Sequence, residues 1–105
     1  MQEPTFLILT ALAAEAQHGY GIMTDVARIS QGRVRLRAGT LYAALDRLRT
    51  DGLVETDKEE IVDGRLRRYY RISAEGALAL ATEVEHLRAN AAAAAFRLGL
   101  AQGTA

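Results

Sequence analysis

Nine arginines fall in three short clusters, at Arg33, Arg35 and Arg37, at Arg47 and Arg49, and at Arg65, Arg67, Arg68 and Arg71. The chemistry this pattern suits is anion recognition, because a planar guanidinium offers paired N–H donors that match a phosphate or the acceptor edge of guanine. Arginine outnumbers lysine 12 to 1 in the chain, which favours such paired contacts over simple point charges. The residue types that other chemistries need are missing or misplaced. There is no cysteine, and His18 and His86 are far apart with no second histidine or carboxylate at metal-ligand spacing. Glu85 adjoins His86, but neighbouring residues on a helix do not face each other. Glu59-Glu60 is the sole adjacent carboxylate pair, and on a hairpin it reads as solvated. No Gly-rich phosphate loop and no Gly-x-Ser-x-Gly elbow occur. The expectation is therefore no catalytic residue, no metal, no cofactor and no enzyme.

Formal net charge is zero, with 13 basic and 13 acidic side chains, which at first sight argues against a nucleic-acid partner. The distribution says otherwise: residues 28–71 hold 11 Lys and Arg against 7 Asp and Glu. At 105 residues, half of them hydrophobic, the chain has the size of one small domain with a modest core. No apolar run approaches the roughly 20 residues of a membrane span, and Met1-Gln2-Glu3-Pro4 lacks the basic start of a secretory signal. A cytoplasmic protein without a membrane partner is expected, and the absence of cysteine agrees with a reducing compartment.

Elements must bring the three clusters together. Pro4 suits a first helical turn, and residues 5–16 are rich in Leu, Ile and Ala, predicting a helix contacted on more than one side. The two glycines of Gln17-His18-Gly19-Tyr20-Gly21 read as a turn. Ile22, Val26 and Ile29 then define a second helix that stops near Ser30-Gln31-Gly32. Arg33-Val34-Arg35-Leu36-Arg37 alternates with period two, as a short half-buried strand would. Residues 38–51 return to helical spacing, with Leu41, Ala44, Leu45 and Leu48 on one face and Gly39, Ala43, Asp46 and Thr50 on the other, flanked by Tyr42 and Arg47. Residues 53–56 and 66–72 are β-prone and flank the turn signal Asp63-Gly64, predicting an antiparallel hairpin. Ser73 is an N-cap for a long helix to about Leu98, along which Leu80, Val84, Leu87, Ala91, Ala95 and Leu98 form a near-heptad stripe. The last residues, 102–105, read as frayed.

Helix, helix, basic segment, helix, hairpin, helix is the order of a winged helix-turn-helix, in which a recognition helix enters the major groove. The predicted fold class is mostly α (α+β), with a two-stranded wing and a long C-terminal dimerisation helix. Residues 1–73 form the DNA-binding domain and 74–101 the dimerisation helix. Arg33, Arg35 and Arg37 precede the recognition helix, Arg47 lies on its flank, and Arg65, Arg67 and Arg68 sit in the wing, so all would meet one phosphate surface. Ala43 and Gly39 would let the backbone approach base edges, with Thr40 and Tyr42 reaching phosphates or thymine methyls. Asp46 would repel phosphate unless it pairs with Arg47 or Arg49, or reads a cytosine amino group. Phe6 and Leu9 of the first helix, with the stripe from Leu80 to Leu98, are the expected dimer interface. Two other readings of the same order are a protein-binding winged-helix module and a ligand-sequestering dimer.

Four segments in this order carry a further likeness: His18-Gly19-Tyr20-Gly21-Ile22, residues 39–48 (GTLYAALDRL), Asp51-Gly52-Leu53-Val54-Glu55, and residues 64–72 (GRLRRYYRI). Together they resemble the PadR-like transcriptional regulators, over nearly the whole chain, and the single C-terminal helix matches the short subgroup. The resemblance implies a homodimer, usually a repressor of a nearby operon, binding an operator in double-stranded DNA. It also implies that Tyr20, Thr40 and Tyr42 contact the operator and that Arg65, Arg67 and Arg68 serve the wing. Relatives often carry Pro where Ala43 stands and a basic or neutral residue where Asp46 stands. The resemblance further implies a small aromatic effector as a partner. The Ala-rich seam, with Phe96 its only aromatic, argues for close helix packing rather than a cavity there.

Overall fold

A computed structural model describes residues 1–100. The elements are α1 (Glu3–Ala14), β1 (Gln17–His18), α2 (Gly19–Ile29), α3 (Ala38–Thr50), β2 (Val54–Val62), β3 (Arg65–Ile72) and α4 (Ala74–Leu98). The three strands form one antiparallel sheet in the order β1-β3-β2. This is the winged helix-turn-helix expected from the order of elements, with a third strand added. Residues 102–105, read as frayed, and Ala101 at the end of the 74–101 segment lie outside the described residues.

α1 opens with Pro4 in its first turn, where the missing N–H costs no helical hydrogen bond. Its buried residues Leu7, Ile8, Leu9, Ala11 and Leu12 cover an arc of roughly 200° at 100° per residue. The helix can afford so wide an apolar arc because α2, α4 and β3 all pack on it. Ile22 and Val26 of α2, Leu41, Ala44, Leu45 and Leu48 of α3, and Val54 and Tyr70 of the sheet complete the core. Leu9, expected at the dimer interface, is fully buried within its own protomer. It is a core residue with no surface left to offer a partner.

The turn expected at residues 17–21 is instead a two-residue strand followed directly by α2. Gln17 pairs with Tyr70 and His18 with Tyr69, and Gln17 Nε2 donates to Ala11 O and to Asp25 Oδ2, both at 3.0 Å. That pairing takes the free edge of β3, and the strand expected at residues 33–37 does not form. The alternation there survives as burial, with Val34 and Leu36 half-buried and the three arginines exposed. In place of a ladder partner, Val34 N donates to the buried Ser30 Oγ at 3.0 Å.

The wing is longer than the β-prone residues suggested, because β2 runs on through its polar stretch to Val62. Asp63 and Gly64, with φ of 52° and 78°, make the two-residue loop whose left-handed backbone matches the twist of a hairpin. Between the pairs Thr56–Tyr70 and Glu59–Arg68, β2 carries one extra residue, a bulge that sharpens the wing's twist. α4 starts where expected: Ser73 Oγ accepts from Gly76 N at 2.9 Å and donates to Gly52 O at 2.7 Å.

Candidate nucleic-acid interface

α3 buries its leucine face and leaves Gly39, Thr40, Tyr42, Ala43, Asp46, Arg47 and Thr50 exposed. A Cβ built on Gly39 would meet nothing, so the fold itself does not require glycine there. Tyr42 is different. Its ring and hydroxyl lie over Gly19, and a Cβ at Gly19 would collide with them. Gly19 thus seats Tyr42 at the junction of α2 and α3, with the Tyr42 side chain still partly in solvent.

From that junction a cleft of about 480 Å³ runs to the wing, lined among others by Tyr20, Tyr42, Arg65, Leu66 and Arg67. Tyr20, 72 % exposed, also borders a neighbouring depression containing Thr24 and Arg35. Tyr20, Tyr42, Arg35, Arg65 and Arg67 therefore share one continuous surface. Arg33 does not join it. Its guanidinium lies 3.5 Å from Glu3, in a groove with Phe6, Ile29, Glu83 and Leu87 on the α1–α4 side.

Ion pairing sorts the remaining arginines. Arg71 meets Glu55 at 3.0 Å and Asp57 at 2.9 Å, Arg68 meets Glu59 at 2.7 Å, and Arg49 lies 3.9 Å from Asp46. Glu59 and the Glu55–Asp57 pair push the Arg68 and Arg71 guanidiniums further above their ordinary range. Glu60 is also engaged, accepting from Tyr69 Oη at 2.7 Å. Among the described residues, Arg35, Arg37, Arg47, Arg65 and Arg67 have no carboxylate at ion-pair distance. The wing's acids are thus largely spent on Arg68, Arg71 and Tyr69, and the net charge of zero hides a surface with five free guanidiniums.

His18, weighed in the sequence only as a metal ligand and as the first residue of the His18–Ile22 segment, lines the same cleft. It meets Tyr69 edge-on, ring centroids 5.4 Å apart, while Lys58 Nζ stands 4.9 Å from the Tyr69 ring centre. Burial and the Arg67 guanidinium hold the His18 imidazole below its ordinary range, with Glu60 opposing. The cluster exists only because β1 pairs with β3, a long-range contact without a local signal. No group of three or more metal-ligating side chains occurs among the described residues, and no described helix is long and apolar enough to cross a membrane.

The expected dimer residues other than Leu9 are at least partly open in the single chain. Phe6, Leu80, Val84 and Ala95 are half-buried, Ala91 is exposed, and Leu87 and Leu98 are 43 % and 73 % exposed.

Tyrosines and unpaired arginines gathered around an exposed helix, beside a twisted hairpin, define a winged helix-turn-helix of the regulator type. The chain belongs to the PadR-like family of transcriptional regulators, whose family model matches residues 8–82. It is 38 % identical over 73 residues to the transcriptional regulator Rv3488 of Mycobacterium tuberculosis, covering 70 % of this chain and 64 % of that one. A PadR family transcription regulator from Clostridium difficile superposes with a TM-score of 0.78 at 23 % identity, over 92 % of this chain and 99 % of the other. Bacillus subtilis PadR in complex with operator DNA superposes with a TM-score of 0.70 at 17 % identity, over 79 % of this chain and 48 % of that one. The matches span 64 % of the length of the two curated relatives.

Proposed function

We propose that the protein is a homodimeric, sequence-specific double-stranded DNA-binding repressor. The observation that carries this reading is the set of five unpaired guanidiniums, Arg35, Arg37, Arg47, Arg65 and Arg67, around α3 and the wing. α3 enters the major groove with Thr40, Tyr42, Ala43 and Arg47 toward the bases, and the bare surface at Gly39 lets its first turn come close. Tyr20, Arg35, Arg37, Arg65 and Arg67 hold the phosphates. Arg68 stiffens the wing through Glu59, and Arg33 belongs to the α1–α4 side. α4 pairs with a second copy, so the two α3 helices meet major grooves about 34 Å apart and the operator is an inverted repeat. In the relative solved with operator DNA, the same fold is the one bound.

Selection of random duplexes by the purified protein, followed by titration of the winner at low and high salt, tests this. An enriched inverted repeat is expected, with affinity falling by about one logarithmic unit per logarithmic unit of salt for each phosphate held. Unenriched, salt-insensitive binding would favour a protein-binding winged helix instead.

A further inference from the structure

The chain has two histidines, the side chains whose charge changes between about pH 5 and 8, and the fold treats them differently. His86 stands exposed on α4 beside Glu83. His18 is half-buried and lines the cleft between α2 and the wing, together with Tyr20, Tyr42, Arg65 and Arg67. β1 covers β3 only at Tyr69 and Tyr70, so the edge of β3 from Arg65 to Arg68 is open, and His18 stands where the cover ends. The groups around the imidazole come from every neighbouring element. β3 brings Arg67 and Tyr69, with Arg68 already held by Glu59. β2 brings Glu60, which accepts from Tyr69 Oη, and Lys58, which stands over the Tyr69 ring. Asp63 lies at the wing turn, while α2 and α3 bring the hydroxyls of Tyr20 and Tyr42. In the free protein the balance runs against an imidazolium: burial and Arg67 disfavour the charge, with Glu60 opposing.

We propose that operator binding loads a proton onto His18, so that the protein senses acidity and holds its operator more tightly as pH falls below neutral. The inference rests on the DNA-binding reading and adds a regulator to it, the proton. A phosphate seated in the cleft changes both sides of the balance. It offsets the Arg67 charge that disfavours the imidazolium, and it gives the imidazolium an acceptor. Arg65 and Arg67 attract such a phosphate, since neither has a carboxylate at ion-pair distance among the described residues. So does the first turn of α2, whose free N–H groups have no side-chain cap, and His18 is the residue immediately before that turn. The sign follows from linkage. His18 titrates below its ordinary range in the free protein and higher in the complex, so between those two values the complex carries more protons and affinity falls as pH rises. Above that window the imidazole is neutral in both states, and below it the imidazole is charged in both, so affinity is level on either side.

The test titrates the full chain against the duplex that it selects, from about pH 5.5 to 8 at constant ionic strength, beside His18→Gln and His86→Gln. The unaltered protein is expected to bind roughly tenfold tighter at the acid end. His86→Gln should follow the same profile, and His18→Gln should give a flat one at the weaker, alkaline level. Calorimetry of the unaltered protein in two buffers of different ionisation enthalpy counts the protons taken up on binding, and it does so whether or not His18→Gln keeps its melting temperature. A flat profile or no proton uptake for the unaltered protein overturns the inference and leaves the DNA-binding reading standing. A slope that survives in a folded His18→Gln also overturns it, and loss of that slope in His86→Gln would place the proton on α4. Failure of the unaltered chain to bind any duplex at any of these pH values overturns both.

Discussion

Tyr42 is held in place by the absence of a side chain at Gly19, and the pair illustrates how a site is set residue by residue. A methyl group at Gly19 meets the far end of an exposed tyrosine, which can swing away at little cost. Gly19→Ala should therefore change stability by less than about 1 kcal/mol while releasing the ring from its seat. If the ring's position matters to the operator, Gly19→Ala and Tyr42→Ala should each weaken DNA binding and the double variant should be no weaker than Tyr42→Ala alone. Additive losses in that cycle would show that the two residues act independently. Arg67 and Arg47 should part in a different way. Arg67→Ala is expected to weaken binding to all duplexes and reduce the salt slope by about one. Arg47→Ala should change the ranking of sequences, which parallel titrations of selected and scrambled duplexes would reveal.

At the scale of elements, two joints decide where the site residues go. One is the start of α4, where Ser73 caps the helix and bonds back to Gly52 O, and where Gly76 packs against the Leu53 carbonyl. That obstacle is backbone and cannot swing aside, so Gly76→Ala should cost about 1–3 kcal/mol. Ser73→Ala should cost about 1–2 kcal/mol for the lost cap. Both costs should appear in denaturant melts with α4 the first element to lose amide protection. The other joint is Asp25, which accepts from Gln17 and Arg28 and so ties β1 to α2. The Arg28 hydrogen bond, with Gln17 helping and burial opposing, holds the Asp25 carboxyl below its ordinary value. A depressed folded value means stability that is present above the ordinary carboxylate range and lost as pH falls through the depressed value. Asp25→Asn should thus melt lower than the unaltered chain at neutral pH, and the gap should close in strong acid. These joints also mark what was legible in the sequence. Helices were, because Leu41, Leu45 and Leu48 or Ile22 and Val26 repeat at a spacing that only a helix puts on one face. β1 was not, since a two-residue strand is defined by its partner Tyr69–Tyr70 fifty residues away. Residues 33–37 had the right alternation and no edge to join. Among the site arginines, proximity in sequence grouped Arg33 with Arg35 and Arg37, but the chain turns it toward Glu3.

The whole molecule is longer than its chain length warrants. Its radius of gyration is 16.0 Å and its extents are 56 × 27 × 22 Å, where a compact domain of about this size has a radius near 13 Å. The excess is α4, 25 residues with only Gly76 buried, or about 37 Å of helix at 1.5 Å per residue. Leu98 and Phe96 near its end are 73 % and 79 % exposed. On the homodimer reading, the apolar stripe that starts at the α1–α4 groove is where a second copy packs, since α4 has little of its own chain against it. Leu87 is the place to ask, because it lines that groove beside Phe6 and Ile29 yet remains 43 % exposed. Leu87→Arg should convert the protein to monomers in sedimentation equilibrium while leaving the winged core folded, since the core cluster does not include it. On an inverted-repeat duplex the monomer should bind each half-site weakly and without cooperativity, because the gain from tethering two α3 helices is gone. It should also show about half the salt slope of the dimer. A Leu87→Arg protein that stays dimeric and keeps full affinity would place the self-association elsewhere on the molecule, on the distal third of α4 around Phe96 and Leu98.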